Sequence, residues 1–452
     1  MYKQIMEFSA IILAAGKGTR LKSKLAKPLH KVAGKALISW VCEAATSAGA
    51  RQHICVVASD GEAVASLVST TAETVIQNPP QGTGDAVKCC LSQLQALPPD
   101  RPVIILYADT PLIQPATLRQ LARKIDDGAD VCLLGFHADD PTGYGRIILS
   151  DRDTVEAIIE HKDASDRQKD ITLVNGGVMA AKAGVLAKLL PQIEPHNSQK
   201  ELYLTDVVGL ASTAGLQTAV LMTDEAELAG VNDRAQLAQI EAVMQSRLRA
   251  QAMANGVTLQ APETVFLSAD TIFGTDIIIE PHVVIGHGVT IADDCHIKAF
   301  SHLDGASLAR GCVIGPYARL RPGTKLGPNV KIGNFVETKN AVFAEGAKAN
   351  HLSYLGDATI GETANIGAGT ITCNYDGINK FTTTIGAGAF IGSNSALVAP
   401  VTIGKGALVG AGSVITKNVD EDAVGISRTT QRQIDGGAKT HRKKADQKKT
   451  GA

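Results

Sequence analysis

Gly16, Lys17, Gly18, Arg20 and Lys27 are the first residues of this chain whose types and spacing suit chemistry. The glycines permit a tight turn, small Ala14 and Ala15 let backbone N–H groups approach a ligand closely, and the nearby cations suit a polyphosphate. Neither common phosphate loop fits. A dinucleotide fingerprint needs glycine where Leu21 stands, and a P-loop needs glycine at Ile11 and Ser or Thr where Gly18 follows Lys17. On this segment alone the plainer reading, a strand-to-helix turn with solvated charges, stays open.

The elements around the loop narrow the choice. Apolar runs at 53–59, 102–112, 130–138 and 173–182 read as strands, and 34–49, 84–97 and 115–127 read as helices. Such alternation predicts a mostly parallel sheet covered by helices, with ligands at the carboxyl ends of its strands, where the loop after Ala10 to Leu13 sits. Apolar residues at helical spacing predict a connecting helix over 233–255, stopped by Asn255 and Gly256.

Beyond Gly256 the period becomes six. Leu267, Phe273, Ile279, Ile285, Ile291, Ile297 and Leu303 hold it, then after a one-residue slip Leu308, Ile314, Leu320, Leu326 and Ile332. It returns at Ile385, Ile391, Leu397, Ile403, Val409 and Ile415. This is the hexapeptide pattern of a parallel β-helix, with one apolar side chain per flat side and glycines such as Gly286, Gly315, Gly333, Gly386 and Gly404 at the corners. The period fails around 333–353 and 367–384, and those interruptions are where a site is expected.

Bulk properties agree and exclude some functions. At 452 residues the chain is too long for one ordinary core. A net charge of −1 gives no overall electrostatic case for nucleic acid or membrane. Aromatics at 4% suit a slim prism with little internal volume. The eight cysteines show no Cys-x-x-Cys pair and no zinc spacing, which predicts reduced thiols. Glu7 interrupts the opening apolar run, so no signal peptide is expected, and the uncharged stretch Thr382 to Gly404 is too rich in Gly, Ser, Asn and Thr to span a membrane. The expected compartment is the cytoplasm.

The motifs LAAGKGTRL, QGTGDA, YADTPL, PTGYGRI, EHKDA and GVNDR, followed by ARLRPG, NFVETK, HLSYLGD, NIGAGTITCNYDG and IGSNSALVAPV, run from about residue 8 to 430. Together they closely resemble the bifunctional N-acetylglucosamine-1-phosphate uridyltransferases and glucosamine-1-phosphate N-acetyltransferases of bacterial cell-envelope synthesis. The resemblance implies an α/β fold: a Rossmann-like nucleotidyltransferase domain over 1–232, a linker helix over 233–255, and a left-handed parallel β-helix acetyltransferase domain over 256–430. A basic, disordered tail over 431–452 completes the chain.

Through that resemblance, Leu13, Ala14, Ala15 and Gly16 contact UTP, Arg20 and Lys27 hold its phosphates, and Gln77, Gly82 and Thr83 read the uracil. Gly145, Glu160 and Asn175 line the sugar side, Tyr107, Ala108 and Asp109 span the junction, and Asp109 with Asn232 holds Mg²⁺. By itself an aspartate after a strand is more commonly a helix cap. In the repeat the resemblance makes His351 the general base of acetyl transfer, although a single histidine is more commonly structural, as His282, His287, His296 and His302 are read here.

Arg321, Lys339, Tyr354 and Asn365 are implied to bind glucosamine-1-phosphate, with Lys380 left as a solvated charge. Ala368, Asn374, Tyr375, Ser393, Ala411 and Arg428 are implied to bind acetyl-CoA in a groove completed by a homotrimer. The implied products are N-acetylglucosamine-1-phosphate, then its UDP sugar with release of pyrophosphate. The alternative is a sugar-1-phosphate nucleotidyltransferase whose β-helix is structural or regulatory. Three residues depart from the family pattern: Ala108 for glycine, Asp85 for histidine, read as changing only the local field, and Asn350, read as able to reorient the loop before His351.

Overall fold

The computed structural model describes residues 7–151 and 153–449. Residues 1–6 of the expected first domain, Arg152, and residues 450–452 of the tail lie outside the described residues. The chain forms two compact units, Met1–Leu248 and Arg249–Ala452.

In the first unit nine strands among the described residues form one sheet: β1 Phe8–Leu13, β2 Ala50–Ala58, β3 Glu73–Gln77, β4 Pro102–Tyr107, β5 Val131–His137, β6 Arg146–Leu149, β7 Val155–Ile159, β8 Leu173–Lys182 and β9 Thr218–Met222. Their order is β9-β5-β8-β4-β1-β2-β3, with β6 and β7 attached through β8. Pairing is parallel at β2-β3, β1-β2, β1-β4 and β5-β9, while β8 runs antiparallel to β4 and β5. The central strands are apolar on both faces because both are covered. Ile12 and Leu106 pack on one side with Val41 and Leu121, and Ile11 and Ile105 pack on the other with Leu94, Leu186 and Val207. The carboxyl ends of β1 and β4 are thereby neighbours, with Leu13 opposite Tyr107.

The helix from the segment read as a linker spans Arg234–Ala254. Its contacts explain why the first unit extends into it. Glu241 Oε2 accepts from Ala33 N at 2.7 Å, and the Arg247 guanidinium donates to Leu112 O at 2.7 Å.

The second unit is a left-handed parallel β-helix. Its three faces are ladders in which each coil pairs with the next. Inward residues follow the sixfold period, with Ile279, Ile297, Leu303, Ile391 and Val409 fully buried. Burying each such side chain is worth about 1.5–3 kcal/mol.

The first expected interruption is not a break in the coil. Leu320 pairs with Thr338, Ile332 with Ala349 and Thr338 with Leu355, so the prism continues through 333–353. Thr338 is tolerated inside because its hydroxyl pairs with that of Thr324 at 3.0 Å. Gly333 is required there by close approach, since a Cβ would stand 1.9 Å from Asn350 O. Asn350 itself lies on the strand Lys348–His351, so it occupies a ladder position and not a loop. The second interruption is real: Thr372 and Ile385 keep their places in the ladders, and the chain between Cys373 and Thr383 leaves the coil.

The structure also differs from the expectation of a disordered tail. Gly437–Lys449 is helical, with no buried residue. Its alanine, lysine, arginine and glutamine content supplies the helix propensity.

Candidate functional site

Two adjoining cavities open at the carboxyl ends of β1 and β4. The first, of about 340 Å³, is lined by Leu13, Ala14, Ala15, Gly16, Lys27, Gln77, Gly82, Thr83, Tyr107, Ala108 and Asp109. The second, of about 600 Å³, is lined by Arg20, Gly145, Glu160, Asn175 and Asn232 and shares Thr83, Tyr107 and Asp109 with the first. Every residue assigned from sequence to nucleotide or sugar in this unit therefore lines one of two connected spaces. Lys17 is exposed and lines neither.

Local chemistry shapes both spaces. Gly145 faces Glu160, whose carboxyl is pushed up by burial although it accepts from Thr205 Oγ1 at 3.1 Å. Tyr107 is held in its phenol form by burial and by the nearby carboxylates of Glu160 and Asp109. Gly177, with φ +87°, leaves room for the Tyr107 ring, which a Cβ would approach to 3.0 Å. Ala108 lies in the packed core beneath the cavity floor as well as on its lining, so its extra methyl is accommodated by packing.

Lys27 links the two residues assigned to the metal. Its ammonium contacts the Asp109 carboxylate and donates to Asn232 Oδ1 at 3.0 Å, an oxygen that also accepts from Arg20 at 3.0 Å. A carboxylate and an amide oxygen thus converge on one positive charge. That donor set, completed by phosphate oxygens and water, fits Mg²⁺. Among the described residues no cluster of three or more His, Cys, Asp or Glu side chains offers an alternative metal site.

Asp85 does more than alter a local field. It accepts from Gln77 Nε2 at 2.7 Å and from Gln81 N at 3.2 Å, tying the QGTGDA loop to the end of β3.

In the β-helix the assigned residues fall on two edges. Asn334 and His351 are in register, and since Ala349, Ile366, Ile391 and Val409 pair in succession, the residues two places after each, His351, Ala368, Ser393 and Ala411, stack in turn. They form one column with a rise of about 4.8 Å per coil. Arg428 caps it, donating to Ala411 O at 2.7 Å. Asn365 lies on the adjoining strand, in register with Lys348 and Phe390. Asn334 Oδ1 stands 2.7 Å from His351 Nδ1, an acceptor that calls for the proton on Nδ1 and leaves the Nε2 lone pair open.

The other edge carries Arg321, Lys339, Tyr354 and Asn374. Arg321 donates to Glu337 at 2.7 Å. Lys380 is exposed but not an isolated solvated charge: its ammonium lies near that of Lys339, and that neighbour, with the field of Arg321, holds Lys339 below the ordinary lysine range. Adjacent cations of this kind suit a dianionic phosphate. The loop that leaves the coil brings Lys380 there, through a bridge between Tyr375 and Lys380. Burial pushes the Asp357 carboxyl up, but bonds from Asn340 at 2.7 Å and Asn374 at 2.5 Å, with Lys380 and Lys339 nearby, hold it below the usual range. Sequence reasoning missed Asp357, which sits inside the quoted HLSYLGD motif, and read Lys380, beside another motif, as a solvated charge.

The eight cysteines are free thiols, and no helix among the described residues is long and apolar enough to cross a membrane. Residues 10–172 match the family model of the MobA-like NTP transferase domain, and 305–340 and 382–417 match the bacterial transferase hexapeptide (six repeats). Three relatives named bifunctional protein GlmU cover almost the whole chain. That of Xanthobacter autotrophicus is 52% identical over 435 residues, 96% of each chain. That of Rhodopseudomonas palustris is 53% identical over 435 residues, again 96% of each, and that of Agrobacterium fabrum is 48% identical over 443 residues, 97% of each.

Proposed function

The chain belongs to the GlmU family of bifunctional proteins, and from that premise we propose how its two sites divide the work. It is a bifunctional transferase of UDP-N-acetylglucosamine synthesis, supplying cell-wall precursors. The β-helix transfers acetyl from acetyl-CoA to glucosamine-1-phosphate, and the sheet domain transfers uridylyl from UTP to the product. The observation that carries this reading is that each unit has its own built site, two joined cavities in one and the Asn334–His351 column in the other.

In acetyl transfer the 2-amino nitrogen attacks the thioester carbonyl and the carbon–sulfur bond breaks. His351 Nε2 takes the amine proton and passes it on to the departing thiolate, which leaves as CoA thiol. Arg321, Lys339 and Lys380 hold the sugar phosphate, Tyr354 and Asn365 hold the sugar, and Asn374 and Tyr375 hold the thioester end of the donor. Ala368, Ser393, Ala411 and Arg428 follow the CoA arm along its column. Because the column and the cation cluster lie on different edges of one prism, a homotrimer completes each site with a neighbouring copy.

In uridyl transfer a phosphate oxygen of N-acetylglucosamine-1-phosphate attacks the α-phosphorus of UTP, and the bond to pyrophosphate breaks. Arg20 and Lys27 neutralise the charge that accumulates on the phosphates, and the cavity walls align the two substrates. Asp109 and Asn232 would hold Mg²⁺, which supplies further charge neutralisation when bound. The reactions take place in the cytoplasm, where free thiols persist.

The test is product analysis after mixing glucosamine-1-phosphate, acetyl-CoA, UTP and Mg²⁺. UDP-N-acetylglucosamine, CoA thiol and pyrophosphate in equal amounts are expected. Uridyl transfer to N-acetylglucosamine-1-phosphate with no CoA thiol released from the first mixture would reduce the β-helix to a structural or regulatory part.

A further inference from the structure

Gln77 closes β3, is buried to 3% exposure and lines the smaller cavity. Both hydrogens of its amide are used inside the chain: Nε2 donates to Gly82 O at 3.0 Å and to Asp85 Oδ2 at 2.7 Å. An ionised carboxylate only accepts, so the nitrogen of the amide must face Asp85. The oxygen, Oε1, is then the polar atom that Gln77 has left for a ligand.

We propose that Asp85 is a positioning residue that makes Gln77 a hydrogen-bond acceptor, and so selects a base that offers an N–H at that point. The inference rests on the nucleotidyl-transfer reading and specifies how that site chooses its nucleotide. Uracil and thymine present N3–H; cytosine presents an unprotonated N3 there. A cytosine ring would set two acceptors against each other at the buried Gln77 amide, and neither would be paired. Asp85 itself need not touch the nucleotide. It lies in the first turn of the helix Thr83–Lys88, where its charge is also favoured by the helix dipole.

The experiment measures affinities of Mg·UTP and Mg·CTP by calorimetry, together with uridyl transfer, for the parent, Asp85→Ala, Asp85→Asn, Gln77→Ala and the Gln77→Ala, Asp85→Ala double variant. Asp85→Ala is expected to weaken UTP by about ten- to a hundredfold, with CTP changed far less, so the preference collapses. Turnover at saturating UTP should stay near the parent's, a split that loss of general stability would not produce. Asp85→Asn is isosteric and can pair with either end of the Gln77 amide, leaving only Gly82 O to orient it, so the preference should fall part of the way. Adding Asp85→Ala to Gln77→Ala should change nothing further. A parent-like UTP preference in both Asp85 variants, or a further loss in the double variant, overturns the inference. Binding separates this from the activity itself: a parent that prefers UTP but transfers nothing, with the preference lost in Asp85→Ala, supports the inference while removing the proposed reaction.

Discussion

Asn334 and His351 stand one coil apart in the same column, with Oδ1 of the amide 2.7 Å from Nδ1 of the imidazole. The ladder register sets this geometry, so the tautomer of His351 is a consequence of how the prism stacks. His351→Ala should lower acetyl transfer by about 10²–10⁴-fold and leave uridyl transfer unchanged. Parent-like acetylation across pH 6 to 9 would make His351 a structural histidine. Asn334→Asp puts a carboxylate where the amide accepts, which favours the imidazolium. The acidic limb of the acetyl-transfer profile should therefore move to higher pH, and an unmoved limb would remove Asn334 from its role.

Asp109→Asn replaces the carboxylate that converges with Asn232 on the Lys27 ammonium. Uridyl transfer should fall at least about tenfold at limiting Mg²⁺, with partial recovery as Mg²⁺ is raised, and acetyl transfer should be spared. A Mg²⁺ dependence identical to the parent's would take Asp109 out of the metal site.

Lys27→Met separates two effects of one side chain. Removing a cation assigned to the UTP phosphates should slow uridyl transfer by about 10²-fold. The same change removes the charge that now sits between the Asp109 and Asn232 oxygens. Mg²⁺ binding without nucleotide, read by calorimetry, should therefore be no weaker than in the parent. Weaker binding would mean that Lys27 builds the metal site instead of competing for it.

Much of this was legible because both halves obey strong periodicities. The buried β1 run and the sixfold register at Ile279, Ile297 and Val409 follow directly from apolar spacing. The coil through Thr338 and Ala349 was not legible, because a paired hydroxyl and a methyl fill inward places that the period reserves for larger apolar groups. Gln77 stands before the QGTGDA motif and Asp85 inside it, and their bond depends on the loop folding back over Gly82, which no spacing rule encodes. Asp357 was missed, and Lys380 was read as a solvated charge, for a related reason. Their partners Asn340, Asn374 and Lys339 come from other coils or from the one excursion out of the prism.

The helix Arg234–Ala254 decides where the two activities can be cut apart. From sequence it reads as a linker, which places the cut near residue 233. Its first turns, however, belong to the nucleotide site and its supports. Gln236 Oε1 accepts from Asn232 N at 2.7 Å, Arg234 donates to Leu21 O at 3.2 Å, and Glu241 and Arg247 bind the backbone at Ala33 and Leu112. Ending the chain at 233 removes those bonds and frees Asn232, at about 1 kcal/mol or more for each lost bond. A fragment of residues 1–254 should therefore keep uridyl transfer near the parent rate with no acetyl transfer. A 1–233 fragment should melt at lower temperature and show a weaker Mg²⁺ response. Equal melting temperatures and equal uridyl transfer in the two fragments would show that the helix only connects.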